Sequence, residues 1–472
     1  MVIDRTKPEA ILGLTLRQAS DAIAARALSP VELVDAYLDR IETVDGRLRS
    51  YITVLADEAR AAASQAEAEI AAGEYRGPLH GLPYAVKDNY FTKGVRTTAN
   101  SRLRLDAVPD FDATAIVRLR EAGAILLGKL NTWEYGTGMG PFYDDLPFPY
   151  ARNPWNLDRY TGGSSTGAGA SVAGRTALFA LGSDTGGSVR LPAAACGLQG
   201  LKSTTGRISR HGIFPNCWAF DVAGPLCWNV EDCAIVAEAL SGFDPSDPIS
   251  VDKPADFRSD LNKGVAGLRI GVIRDMDCGG VHPDPDVLAN LAEAARVLQA
   301  AGAILVETEL PAPVLRYRSA ASIINWAESY SIHEADFQSG WHLMGQALRD
   351  KMTAGLQISA VDYLAALRER RTLAEMTDAL LSGFDALLLP SAFHVAPAFT
   401  DAAGLGAFIG DTAATPFSMS GHPALSICTG FDSEGLPTSA QIVGRWFDEA
   451  MVLRVGHAYE TATPWRSHFP TF

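Results

Sequence analysis

Two serines on glycine turns lie within one stretch of this chain. From Tyr160 to Lys202 it reads YTGGSSTGAGASVAGRTALFALGSDTGGSVRLPAAACGLQGLK and holds Gly162-Gly163-Ser164 and Gly186-Gly187-Ser188. A serine hydroxyl is a weak nucleophile until a base takes its proton. Glycine lets the backbone adopt positive φ and approach a carbonyl closely. Successive amide N–H groups in such a turn can face a developing oxyanion. Thr185, Gly186, Gly187 and Ser188 are therefore candidates for the oxyanion donors, and Ser188 for the nucleophile. A structural turn with a capping serine would use the same residues. The first turn also matches Gly-x-Ser-x-Gly at Gly163-Ser164-Ser165-Thr166-Gly167, which would nominate Ser165. That elbow needs a strand directly before it, whereas Asn153 to Arg159 is polar and broken by Pro154.

The base is harder to place. None of the nine histidines sits in a motif that marks it as a partner. Lys87 ends a short apolar segment, Leu82 to Val86. Burial there would lower its pKa and make it a usable base near neutral pH. The alternative is a lysine paired with Asp88 or another carboxylate. No His-Glu-x-x-His, phosphate loop or Gly-x-Gly-x-x-Gly after a strand occurs, so no metal and no cofactor is expected.

The elements that must position these residues follow an alternating pattern. Leu16, Ala19, Ile23 and Ala27 share a helical face, and Ser29-Pro30 restarts a capped helix. Residues 56–72 form an alanine- and glutamate-rich helix. Tyr84 to Val86 and Ile125 to Leu127 read as buried strands around a helix over 116–122. Residues 241–266, rich in Pro, Asp and Ser, form a linker-like stretch. Beyond it come a strand at 268–273, a helix at 286–301, a strand at 303–306 and a long amphipathic helix over about 313–335. Ala386 to Leu389 and Ala424 to Cys428 read as late strands. The whole chain, 1–472, is expected to form one α/β body, with a variable substrate-facing region over 267–385.

Composition narrows the class. The chain is 47% hydrophobic and 20% charged, as soluble globular proteins are. A net charge of −15 argues against a general nucleic-acid or anionic-membrane binder. Six cysteines without a Cys-x-x-Cys pair predict reduced, buried thiols. No apolar run reaches the length of a membrane span, and no secretory leader is seen, so a cytoplasmic location is expected.

Taken together, these motifs resemble the amidase signature family. The resemblance rests on Gly81-Leu82-Pro83 with Val86-Lys87-Asp88-Asn89, on Gly162 to Ser165, and on Gly182 to Ala193. Cys196 to Arg207, Gly224-Pro225, Gly421-His422-Pro423-Ala424 and Gly435-Leu436-Pro437 add to it. It is strong over 15–240, looser over 385–460, and only in outline between. It implies a central mixed β-sheet flanked by helices on both faces. It also implies a Ser-Ser-Lys triad: Ser188 as nucleophile, Ser164 as bridging serine after a cis peptide, and Lys87 as neutral base. Asp184 and Arg190 would hold the loop, with Ser165 as a hydrogen-bonding neighbour. One departure stands out: Thr166 replaces a glycine usual in the family.

The implied activity is hydrolysis of carbon–nitrogen bonds in amides through an acyl-enzyme, with esters and carbamates (urethanes) as related substrates. The expected pocket is apolar and aromatic: Gly138, Met139, Phe142, Tyr143, Ile213, Phe214 and Trp218, with Trp326 and Tyr330. Such a pocket implies an apolar or aryl group. One alternative is the glutamine amidase (A) subunit of a tRNA-dependent amidotransferase. Its carboxylate-binding arginine has no evident counterpart near Asp350-Lys351-Met352, although Asp411 could stand at its acidic position. A catalytically silent binding subunit is the other. The expected partners are small-molecule substrates alone, without nucleic acid or membrane, in a monomer or homodimer.

Overall fold

The computed structural model describes residues 8–137, 143–274, 276 and 278–472. Eleven strands form one sheet: β1 (Tyr51–Val54), β2 (Pro83–Lys87), β3 (Ile125–Leu130), β4 (Phe179–Asp184), β5 (Gln199–Lys202), β6 (Val222–Cys227), β7 (Arg269–Val272), β8 (Ile304–Glu307), β9 (Ala386–Pro390), β10 (Ala424–Phe431) and β11 (Pro437–Val443). Their spatial order is β1-β3-β2-β4-β6-β5-β10-β11-β9-β7-β8. β2 runs parallel to β3 and β4, and β7 parallel to β8 and β9, while the remaining pairs are antiparallel. This is an α/β fold on a mixed sheet.

Successive residues of a strand point to opposite faces. Tyr84 and Val86 of β2, with Phe179 and Leu181 of β4, enter one apolar cluster, and Ala85 and Ala180 enter another. Likewise Ala386 and Leu388 of β9 join the first cluster, and Leu387 and Leu389 a third. Both faces of the sheet are therefore covered, which is why its strands read as continuous apolar runs rather than alternating ones.

The helices begin where their sequences announce it. Ser29 caps Pro30–Leu48 in a capping box with Glu32, and Thr15 caps Leu16–Ala24 with Gln18. The stretch 241–266 forms no helix or strand but is packed down. Asp244 accepts from Thr114 at 2.6 Å, and Phe257 and Leu261 are buried in the core. In the chain between β8 and β9, the helix Val314–Gly340 packs on both Gln346–Leu356 and Ala360–Leu381.

A buried pair ties the C-terminal region to the centre. Glu449 accepts from Arg207 Nη2 at 2.9 Å, from Arg207 Nε at 3.2 Å and from the Thr204 amide at 2.8 Å. Removing the carboxylate strands a buried guanidinium, so Glu449→Ala should lower stability by about 3–5 kcal/mol in urea unfolding followed by circular dichroism.

Candidate active site

Parallel pairing of β2 with β4 brings the C-terminal ends of both strands to one edge. Ligand sites in open α/β sheets gather at such ends. β2 ends on Lys87, and β4 ends on Ser183-Asp184. From β4 the chain turns through Thr185 to Ser188 into the helix Arg190–Cys196. The other turn leads from Gly162, through a cis Gly163–Ser164 peptide, into the helix Thr166–Ala173. Thr166 opens that helix.

Lys87 Nζ lies 2.6 Å from Ser164 Oγ and 3.0 Å from Ser183 Oγ. Asn89 Nδ2 donates to the same Ser183 Oγ at 3.1 Å. Gly136, at φ 69°, closes a further side, because a Cβ there would stand 3.2 Å from Lys87 Nζ and 3.4 Å from Ser164 Oγ. Lys87 is fully buried, and burial lowers its pKa to about 7, although the Asp221 and Asp184 charges work the other way. Among the described residues no carboxylate is within ion-pair distance of Lys87. Asp88, the alternative partner, instead faces Lys129 at 3.7 Å and accepts from Thr98 Oγ1 at 2.6 Å.

Asp184 organises the second turn. It accepts from the Gly187 amide at 2.7 Å, the Val189 amide at 3.1 Å and Arg190 Nη2 at 3.0 Å. Burial alone would raise its pKa, but the Arg190 charge and hydrogen bonds outweigh it and hold the carboxyl at about 2. Arg190 in turn donates to Ser418 Oγ at 2.7 Å and Ala414 O at 2.9 Å. One expectation needs correction: the Gly187 N–H is committed to Asp184 and does not face the cavity, whereas Thr185, Gly186 and Ser188 line it. Ser165 is buried, donates to Ser183 O at 3.3 Å and does not line the cavity.

The cavity over Ser188 has a volume of about 710 Å³. Trp133, Leu191, Phe220, Trp326 and Ile409 give it apolar walls, while Asn216, Arg318, Asn325 and Lys351 give it polar ones. Arg318 also pairs with Asp411 at 3.3 Å. The expected aromatic pocket is largely elsewhere. Ile213, Phe214 and Trp218 line a separate, smaller cavity of about 240 Å³, which Ser183 also lines. The intervening loop turns them away: the Asn216 and Cys217 amides are held by Asp221 Oδ2 at 2.8 and 2.9 Å. Tyr330 packs into a cluster around Met344 and Met352, and Tyr143 bonds Asp350 at 3.2 Å. Of that set, Trp326 reaches the main cavity. Gly138, Met139 and Phe142 lie outside the described residues. Sequence reasoning missed Asn216, Lys351 and the stripe Arg318, Ser322, Asn325. The stripe carried a signal, since its spacing puts polar residues on one face of the predicted long helix.

The amidase family model matches residues 32–453, and the chain belongs to that family. It is an amidase, a hydrolase of carbon–nitrogen bonds. It is 39% identical to the A-type subunit of the glutamyl-tRNA(Gln) amidotransferase of Moorella thermoacetica, over 97% of this chain and 98% of the relative. It superposes on a bacterial aryl acylamidase of the amidase signature enzymes with a TM-score of 0.87 at 28% identity, covering 96% of this chain and 97% of that one. The corresponding amidotransferase structure from Thermotoga maritima gives a TM-score of 0.79 at 30% identity, covering 96% of each chain.

These relatives overturn the expectation of small-molecule substrates alone, no nucleic acid and no assembly beyond a homodimer. The amidotransferase relatives are subunits of an enzyme of glutamyl-tRNA(Gln). Net charge sums over one chain and is silent about surfaces that other subunits bring, so acidity does not decide the matter. No helix of the described residues is long and apolar enough to cross a membrane.

The tight fit of Gly136 against Lys87 and Ser164 can be tested. Gly136→Ala should push the two side chains apart and lower kcat, by up to the roughly 10²-fold that misplacement by an ångström costs. The melting temperature, by differential scanning fluorimetry, should fall by only a few degrees.

Proposed function

We propose that Ser188 attacks the amide carbonyl, Ser164 relays its proton, and Lys87 is the neutral base. The observation that supports this most is Lys87: fully buried, 2.6 Å from Ser164 Oγ, with its pKa brought down to about 7. The Ser188 proton passes through Ser164 to Lys87 as the Ser188 Oγ–carbon bond forms. Amides of the Thr185–Ser188 turn that face the cavity, Gly186 and Ser188 foremost, receive the oxyanion. The relay then returns the proton to the departing nitrogen as the carbon–nitrogen bond breaks. Water, deprotonated through the same pair, releases the acyl group from Ser188. Asp184, anchored by Arg190, keeps the turn in shape. The six free cysteines are all buried, which fits a reducing compartment, and a cytoplasmic location is part of the proposal.

For the substrate, the relatives favour glutamine, hydrolysed to release ammonia within a tRNA-dependent amidotransferase. The cavity is compatible with this reading, because Arg318 lines it and offers a cation to an amino-acid carboxylate, with Asp411 paired to that guanidinium at 3.3 Å. A second reading is favoured by the apolar walls at Trp133, Leu191, Phe220, Trp326 and Ile409, and by the higher TM-score against the aryl acylamidase. In that reading the acyl or leaving group is apolar or aryl, and esters and carbamates are cleaved by the same attack.

Steady-state kinetics with L-glutamine, acetanilide, hexanamide, a phenyl ester and an aryl carbamate separates the two. The first reading requires glutamine to have the highest kcat/KM, and an order led by acetanilide or the carbamate would replace it with the second. Ser188→Ala should abolish turnover and labelling by a fluorophosphonate. Lys87→Ala should lower kcat by about 10²–10⁴-fold, the usual contribution of a general base. Peptide mapping of the label to Ser165 would refute the assignment. Because burial lowers the Lys87 pKa, the active neutral form dominates above about pH 7. A kcat/KM profile should therefore fall by about tenfold per pH unit below that point.

A further inference from the structure

Lys351 is a second lysine buried beside the chemistry, 1% exposed and lining the cavity over Ser188. Among the described residues it makes no ion pair. Its Nζ donates to Thr137 Oγ1 and, at 2.9 Å, to Asn216 Oδ1. Ser329 Oγ donates to the Asn216 main-chain carbonyl at 2.9 Å and also lies 3.1 Å from Asn216 Oδ1. An ammonium has donors and no acceptor, while a carboxamide has two ends of opposite polarity. Lys351 therefore decides which way the Asn216 amide points.

The consequence runs along one directed chain. With its side-chain oxygen held by Lys351, Asn216 presents Nδ2 to Thr185 Oγ1 at 3.2 Å and to Gly136 O at 3.4 Å. Thr185 Oγ1, used as an acceptor, turns its own hydrogen to Asp221 Oδ1 at 2.6 Å. Asp221 Oδ2 accepts from the Asn216 main-chain N–H at 2.8 Å and closes the ring. The two ends held by Asn216 are those that matter to the chemistry. Gly136 is packed against Lys87 Nζ and Ser164 Oγ, and Thr185 opens the turn that carries Ser188.

We propose that Lys351 is a positioning residue that acts through Asn216, locking the Gly136 segment to the Thr185–Ser188 turn so that base and nucleophile stay in register. This rests on the reading of Ser188 and Lys87 given above. Its role is that of a hydrogen-bond donor rather than a reader of substrate charge. Burial brings the Lys351 pKa to about 7, against the pull of nearby Cys217 and Asp221, yet the neutral amine keeps N–H groups for both acceptors. The ammonium, which has no acceptor, is the form that fixes the Asn216 orientation outright.

The test compares Lys351→Met, which removes the donor, with Lys351→Gln, which keeps a donor and removes the charge. Neutral hexanamide and zwitterionic L-glutamine serve as substrates, and the rate of fluorophosphonate labelling of Ser188 as a turnover-independent readout. Lys351→Met should lower kcat and the labelling rate by about 10–10²-fold, with similar factors for both substrates and KM within about threefold, as lost positioning predicts. Lys351→Gln should recover most of that loss. Combined with Asn216→Ala, Lys351→Met should add little, because both act through one amide. If Lys351→Met raises KM for glutamine alone and spares hexanamide, Lys351 reads substrate and the proposal falls. Additive penalties with Asn216→Ala, or a Gln variant as poor as the Met one, also overturn it. Should the Met variant not fold, the Gln variant and Asn216→Ala still decide between donor and charge. Turnover retained by Ser188→Ala would instead refute the underlying reading of the site, whatever Lys351 does.

Discussion

Lys87 is buried with no carboxylate in contact among the described residues, and the rest of the site follows from that constraint. A charged ammonium in a dry interior is costly unless a counter-ion and hydrogen bonds compensate it. The neighbouring strand shows the contrast. Lys129 of β3 is equally buried, but it has Asp88 at 3.7 Å along with Thr92, Thr97 and the Tyr90 carbonyl, and its pKa is brought down only to about 8. Lys87 has hydroxyls instead, Ser164 and Ser183, and its pKa falls to about 7. Two lysines on adjacent parallel strands thus have different surroundings, a carboxylate beside one and hydroxyls beside the other.

The second organising contact is Asp184 with Arg190. Both are fully buried, which makes a pair of this kind weak evidence for stability by itself. Its value lies in geometry. The carboxylate receives amides from the turn on one side and the guanidinium on the other. Arg190 reaches on to Ser418 and Ala414, so the turn carrying Ser188 is braced against the C-terminal part of the sheet. The cavity above joins residues of opposite character. Its floor comes from the two serine turns, and its polar wall from Arg318, Asn325 and Lys351 on the helices between β8 and β9. Under the proposed mechanism, chemistry and specificity are carried by different parts of the chain. Such a division allows one fold to serve both an aryl acylamidase and a glutamyl-tRNA(Gln) amidotransferase.

Much of the fold was legible from the residues alone. Capped helices such as Pro30–Leu48 and apolar strands such as β2, β3, β9 and β10 carry local signals: a capping residue, a proline at the first turn, a run that cannot face water. β1, only partly buried, and the short β5 carried too weak a pattern. The stretch 241–266 misled in one respect. Its composition reads as a linker, yet Phe257, Leu261, Asp244 and Asp247 are buried, because its partners Thr114, Ser209 and Arg210 are distant in sequence.

By itself, the sequence determined the mixed α/β architecture and the family, and it nominated Lys87, Ser164 and Ser188. Strand periodicity and glycine turns are local properties, and spacing preserves them. Only the tertiary structure decided which polar groups meet. It gave Asp88 to Lys129 rather than to Lys87, committed the Gly187 amide to Asp184, and turned Ile213, Phe214 and Trp218 into a separate cavity. It also brought Lys351 across the chain to Asn216 and Thr137. Hydrogen-bond partners depend on distances between segments far apart in sequence, and no local pattern encodes those distances.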